Sequence, residues 1–187
     1  MLSFWRHGYE TTSIADLTAA MGITAPSIYT AFGDKRRLFL EAMRRYAGDP
    51  AEMESRLAAA PTARDAAHTM LVTAAITFTG KATPQGCLLA SATASGSEAS
   101  ADIRSAVSEV RRDIAARLVN RINRDLAEGI LPASTNAAAL SDLTLAVVQG
   151  MSVLARDGVP RERLLALAEQ AVLAWPDQRT GWSTPPA

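Results

Sequence analysis

Three cations, Lys35, Arg36 and Arg37, directly follow Asp34. Asp34 reads as a helix N-cap, so the cations fill the first turn, at the positive end of the helix dipole. Cations there are disfavoured by roughly 0.3–1 kcal/mol each. Free amides at a helix start favour anions, phosphate among them. Two readings stay open at this point: an anion brought to the helix start, or a solvated basic face. Six residues upstream of Lys35 stands Tyr29, whose hydroxyl, like a lysine ammonium, is a phosphate donor. Its bland alternative is a core aromatic with the hydroxyl at the rim.

The elements that must position these groups can be read from the spacing. Residues 1–7 look like the end of a helix, and Gly8 is a natural residue to follow it. Thr12 or Ser13 can cap a second helix, with Asp16 three residues past Ser13 in a variant of the capping box. Ile14, Leu17 and Met21 recur at helical spacing and predict its buried face. Gly22 ends it in a position suited to positive φ. Ile23 is predicted to turn back toward the core. Thr24 caps a third helix, where Pro26 is tolerated because the first turn has no internal donors to lose. Ile28 and Phe32 face inward; Thr24, Ala25, Ser27 and Thr30 face outward. Helix, glycine turn and short helix make a helix-turn-helix, although helical hairpins with no DNA partner produce the same spacing.

At these residues the chain resembles the TetR family of one-component transcriptional regulators. The resemblance rests on His7-Gly8-Tyr9-Glu10-Thr11-Thr12-Ser13-Ile14, on Met21-Gly22-Ile23, and on Ser27-Ile28-Tyr29-Thr30-Ala31-Phe32-Gly33-Asp34-Lys35 with Leu38 beyond. It implies that the third helix enters the major groove, that Tyr29 and Lys35 clamp phosphates, and that Thr12 and Ser13 contact phosphates rather than serving as caps alone. Such contacts position the protein without specifying sequence. Thr24, Ser27 and Thr30 can then bond base edges, and Ala25 and Pro26 can touch a thymine methyl. Two features depart from the family. Thr18 stands where alanine is usual, at the crossing of the second and third helices. The chain also begins about halfway along the family's first helix, so that helix is expected to be shortened and to depend on Phe4 and Trp5 docking in the core.

Composition bounds the rest. A chain of 187 residues with 48% apolar and 20% charged residues is globular and long enough for a sizeable core. The formal net charge is zero, so nucleic-acid binding must rest on a local patch. The single cysteine, Cys87, excludes an intrachain disulfide framework and a cysteine-based zinc site. No uninterrupted apolar run reaches the ~18 residues of a membrane span and nothing resembles a signal peptide, so the expectation is a cytoplasmic protein with no membrane partner. Most aromatics fall within the first 46 residues, which suggests a small aromatic-stapled domain before a larger Ala- and Leu-rich one. Phosphate loops, HExxH, G-x-S-x-G and dinucleotide fingerprints are absent; neither an enzyme nor a cofactor is expected.

Beyond residue 47 the pattern is helical. Residues 34–47 form a fourth helix, which in the family links two domains and carries the signal. Residues 50–61 read as a short helix or loop, 62–78 as a helix, and 86–90 as a short buried one. Residues 91–100 read as a loop or frayed end, and 102–128 as the longest helix. Its Arg111, Arg112, Arg117, Arg121 and Arg124 read as a solvated face. His68 reads as a surface or hydrogen-bonded residue. Cys87 reads as a small core hydrophobe, with a thiol sensor as the alternative. Ser134 or Asn136 caps the next helix, which runs to about 156; it and the helix at 161–175 are apolar on more than one side, and Gly150 in mid-helix suits close approach of another helix. They predict a homodimer interface through Leu140, Leu143, Val147, Gly150, Met151, Leu154, Leu164, Ala168 and Val172. Core completion is the alternative. Candidates for an effector pocket are Met43, Met70, Ala74, Phe78, Cys87, Val110, Val147 and Met151, each also an ordinary core type. The expected architecture is all-α: a three-helix helix-turn-helix domain over 1–47, a helical regulatory and dimerisation domain over 48–175, and a polar, disordered tail over 176–187. The expected function is sequence-specific binding of a palindromic double-stranded DNA operator, with repression relieved by an apolar or amphipathic small molecule. The competing reading is a dimeric ligand-binding or scaffold protein with weakened or lost DNA binding.

Overall fold

The computed structural model describes residues 1–92 and 100–176. The middle of the stretch read as a loop, 93–99, and the tail from 177 onward lie outside the described residues. The described residues form ten helices and are all-α: α1 (Leu2–His7), α2 (Ile14–Met21), α3 (Ala25–Phe32), α4 (Lys35–Ala47), α5 (Pro50–Ala59), α6 (Ala63–Phe78), α7 (Leu88–Ser91), α8 (Ala101–Ala127), α9 (Ala137–Arg156) and α10 (Arg161–Leu173).

Local chemistry sets most of these boundaries. Ser13 Oγ accepts from the Asp16 amide at 3.1 Å while Asp16 Oδ2 accepts from the Ser13 amide at 2.8 Å, a reciprocal box that satisfies two donors at the start of α2. Gly22 then leaves α2 at φ +66°. Thr62 and Asp65 repeat the box at α6. Asp49 accepts from the Ala51 amide at 2.8 Å, and Pro50 opens α5, so the 50–61 stretch is a helix. Asn136 rather than Ser134 caps α9, accepting from the Ala139 amide at 3.0 Å. α8 stops in a Schellman motif, with Ile130 N–H on Asp125 O at 2.8 Å and Gly129 N–H on Leu126 O at 3.1 Å.

α6 is the hub, packed by α5, α8, α9 and α10. The main apolar cluster runs without a break from Phe4, Trp5, Leu17 and Ile28 through Phe39, Leu71 and Leu88 to Met151 and Ala168. A second, smaller cluster gathers Ala63, Leu118, Ile122, Leu131 and Trp175. Met21 and Ile23 depart from expectation: both are exposed, because the two-turn α2 buries only Leu17 and half covers Ile14. The arginines of α8 are not one solvated face either. Arg121 and Asp125 are both buried and form an ion pair. Arg121 also donates to Leu57 O, Ala60 O and Pro61 O at 3.0–3.1 Å, and Asp125 accepts from the Ala63 amide at 2.6 Å. This pair ties off the end of α5 and the start of α6. Arg117 pairs with Glu54 at 2.8 Å. His68 Nε2 meets Glu169 Oε1 at 2.7 Å, joining α6 to α10.

By length and apolarity alone, α9 is the one helix among the described residues that could cross a membrane. Polar residues Ser141, Thr144, Gln149 and Ser152 interrupt it, which is why it escapes a search for unbroken apolar runs. It packs on α6, α8 and α10, with Ser141 Oγ donating to Ala115 O at 3.1 Å.

Candidate nucleic-acid interface

α3 presents a polar surface over a buried anchor. Ile28 is fully buried and Phe32 partly so, while Thr24, Pro26, Ser27, Tyr29 and Thr30 are exposed and Ala25 is half-buried. Tyr29 is 50% exposed, so its ring is a surface group, not a core aromatic. Thr24 holds the extended conformation of an N-cap but bonds no helix amide. Its hydroxyl lies 2.9 Å from Ser27 Oγ, so the two form a pair of exposed donor-acceptors beside the first turn.

The residues upstream of α3 divide differently. Ser13 is exposed at the start of α2 and carries its hydroxyl to Asp16 at 2.7 Å. Thr12 is a correction: it is 1% exposed, and its hydroxyl donates to Gly8 O at 2.6 Å. It closes the turn after α1, with its hydroxyl turned away from the surface. Lys35 is also tied into the fold. Its Nζ donates to Thr12 O at 2.9 Å and lies 4.4 Å from the centre of the Tyr9 ring, a cation over an aromatic face. Partial burial lowers its pKa, with Glu10 opposing. An ammonium has three donors, so a phosphate can still be met.

The other two cations part company. Arg36 pairs with Asp102 of α8, and the Asp102 carboxyl is held below its ordinary value chiefly by that bond. Arg37 stays exposed, with its amide on the Asp34 cap at 2.7 Å. Of the three charges at the start of α4, one therefore braces the turn, one bridges to α8, and one faces solvent.

A cavity of about 460 Å³ lies behind the far end of α4. Of the eight expected lining residues, Met70, Ala74, Phe78 and Cys87 line it. Met43, Val110, Val147 and Met151 do not: Met43 and Met151 are buried in the main cluster, and Val110 and Val147 pack against it. On α4 it is Tyr46, one turn beyond Met43, that reaches the cavity, and α9 contributes Leu145, Val148 and Gln149 instead. Thr69, Thr73 and Thr77 add a hydroxyl stripe along α6. In the sequence that stripe is an i, i+4, i+8 series of threonines beside the apolar one. Tyr46 Oη donates to Cys87 Sγ at 3.3 Å, and burial first, then the neighbouring thiol, pushes its phenol pKa well up.

The expected interface residues also separate. Met151, Leu164, Ala168 and Val172 are buried inside the subunit, because α9 and α10 turn that side onto α6. Leu143, Gly150 and Leu154 are exposed and Leu140 and Val147 half so; Val153 of α9 and Leu173 of α10 are 57% and 64% exposed. Outside the backbone of its own helix and its chain neighbours, no atom of the described residues lies within 4 Å of the place a Cβ on Gly150 would occupy.

This architecture has close counterparts. The bacterial regulatory proteins of the tetR family match residues 3–42, and the tetracyclin repressor-like C-terminal domain matches residues 69–168. The chain is 32% identical over 179 residues to the HTH-type transcriptional repressor ComR of Escherichia coli, covering 95% of this chain and 85% of that protein. It is similar to a cysteine mutant of the TetR family regulator CifR solved with 26-bp operator DNA, at TM-score 0.88 and 40% identity over 94% of this chain and 92% of that one. Reduced NemR of E. coli shares the fold at TM-score 0.77 and 18% identity, covering 95% of this chain and 93% of that one. The chain belongs to the TetR family of DNA-binding transcriptional regulators.

Proposed function

We propose that this regulator is a homodimeric repressor of a palindromic operator, released when an apolar or amphipathic small molecule enters the cavity behind α4. The observation that carries the reading is the α3 surface: Thr24, Pro26, Ser27, Tyr29 and Thr30 exposed over a buried Ile28. Ser27, Thr24 and Thr30 bond base edges, Ala25 and Pro26 sit against thymine methyls, and Tyr29, Ser13 and Lys35 meet phosphates. The dimer forms through the outward side of α9 and α10, around Leu143, Gly150, Val153 and Leu154.

α4 supports the switching step. It is a single 13-residue helix with Lys35 at its first turn and the cavity-lining Tyr46 at its last. A rod of that length spans about 20 Å, so a change at the cavity moves the base of α3. Ligand then favours a spacing of the two recognition helices that no longer matches grooves about 34–36 Å apart. The coupling is a difference in ligand affinity between the two spacings.

The test is selection of duplexes from a random pool by the full chain, followed by affinity measured against salt. A selected palindrome whose binding weakens steeply with salt supports the reading. Failure to enrich any sequence would sink it.

A further inference from the structure

α1 belongs by sequence to the DNA-binding end, yet it is bonded into the regulatory end. Trp5 is 2% exposed. Its indole Nε1 donates to Gly86 O at 2.9 Å. Its own carbonyl accepts from Ser91 Oγ at 3.0 Å and from Arg156 of α9 at 3.4 Å. Arg156 also bonds Ser91 Oγ and reaches Cys87 O at 3.4 Å. The Trp5 ring stands edge-on to Tyr46 at 4.8 Å between centroids, and Tyr46 in turn donates to Cys87. Tyr46 and Cys87 are both walls of the cavity.

Two glycines show how tight this junction is. A Cβ on Gly86, which sits at φ +78°, would lie 2.8 Å from Ser152 O and 2.6 Å from Arg156 Nε. A Cβ on Gly8, at the end of α1 and at φ +86°, would lie 3.0 Å from Ser91 O. The other neighbour of Trp5 leads to the recognition helix: Phe4 packs edge-on to Phe39 at 5.2 Å, in the same cluster as Ile28. α1 therefore touches the cavity wall through one residue and the core under α3 through the next.

We propose that Trp5 is a positioning residue for operator binding that reads occupancy of the cavity through Tyr46 and the Gly86–Cys87 segment, so that α1 carries the signal alongside α4. The proposal rests on the cavity being the effector site. A ligand that displaces Tyr46 or Cys87 has no slack to take up, because the backbone of 86–91 is fixed by Ser152, Arg156 and Trp5 together. Cys87 N–H on Ser152 Oγ at 2.8 Å closes that frame. The shift passes to α1, and through Phe4 and Phe39 to the base of α3.

The experiment is a double-mutant cycle on the full chain, read as affinity for the selected duplex. Thr73→Phe fills the cavity from the α6 wall and stands in for a ligand without touching the Trp5 bonds. Trp5→Phe keeps a ring and removes the indole donor. Thr73→Phe is expected to weaken operator binding about tenfold in the parent and twofold or less with Trp5→Phe, a coupling of ordinary allosteric size. Equal weakening in both backgrounds overturns the proposal while leaving the cavity reading intact. No weakening by Thr73→Phe in an operator-binding parent overturns both. If Trp5→Phe does not fold by circular dichroism, Ser91→Ala, which removes a bond to the Trp5 carbonyl, takes its place in the cycle with the same expected outcomes.

Discussion

Lys35 serves two masters, and its substitution separates them. Its ammonium holds Thr12 O and stacks over Tyr9, so Lys35→Ala removes a charge-assisted bond of about 1.5–3 kcal/mol before solvent screening. Lys35 is only partly buried, so solvent screening brings the expected loss nearer about 1 kcal/mol in a melt. If it also meets a phosphate, the slope of log affinity against log salt falls by about one. Thr12→Val is the contrast. It leaves Gly8 O without its buried donor and destabilises by about 1–3 kcal/mol, with the salt slope unchanged. Both outcomes are read from a melt and a salt titration on each variant. The pair also shows where sequence reading stopped. Thr12 and Ser13 are adjacent hydroxyls before one helix; spacing allowed either to cap, and the family resemblance put both on phosphates. The turn after Gly8 decides it: the chain there folds Thr12 under α1, and only Ser13 stays outside.

At the scale of elements, helix ends and the two sides of the short α3 were legible, and the sides of the longer helices were legible only in part. Ser13 with Asp16, Asp34, Gly22 and Gly129 carry their signals within four residues, and the structure uses all of them. The orientation of α4, α8, α9 and α10 depends on what they pack against. Arg121 and Asp125 flank the buried Leu118–Ile122 stripe, yet nothing local says that the ends of α5 and α6 will supply acceptors and a donor. That pair makes a sharp prediction. Arg121→Met leaves the Asp125 carboxylate buried with only the Ala63 amide as partner, and should cost about 3–5 kcal/mol, seen as a large fall in the denaturant midpoint. Gly86→Ala tests the junction beside the cavity. Its Cβ would strike the Ser152 carbonyl at φ +78°, and we expect a loss of roughly 2 kcal/mol or more by the same measurement.

At the scale of the molecule, α9 and α10 leave four large apolar side chains exposed, Leu143, Val153, Leu154 and Leu173. Of the residues read as an interface, Met151, Leu164, Ala168 and Val172 are buried within the subunit and the others are not, because periodicity reports an apolar stripe without saying whether α6 or a second copy covers it. The exposed set gives a direct test. Val153→Glu with Leu173→Glu alters two side chains that are more than half exposed, so the melting temperature of the subunit should move little. Sedimentation should show the loss of the dimer, and operator affinity should fall by orders of magnitude as one half-site is given up. The zero net charge left nucleic-acid binding to rest on a local patch, and charge is indeed unevenly divided along the chain. Residues 1–47 hold six cations and four acids, an excess of two that the remainder balances with acids.

The account's central claim is that two copies of α3 read one palindrome at a fixed spacing. It is tested most directly by measuring the affinity of the full chain for the selected palindrome, and for the same half-sites separated by about five further base pairs, half a helical turn. The account predicts tight, salt-dependent binding to the first and near-complete loss on the second. Equal affinity for both duplexes would contradict it.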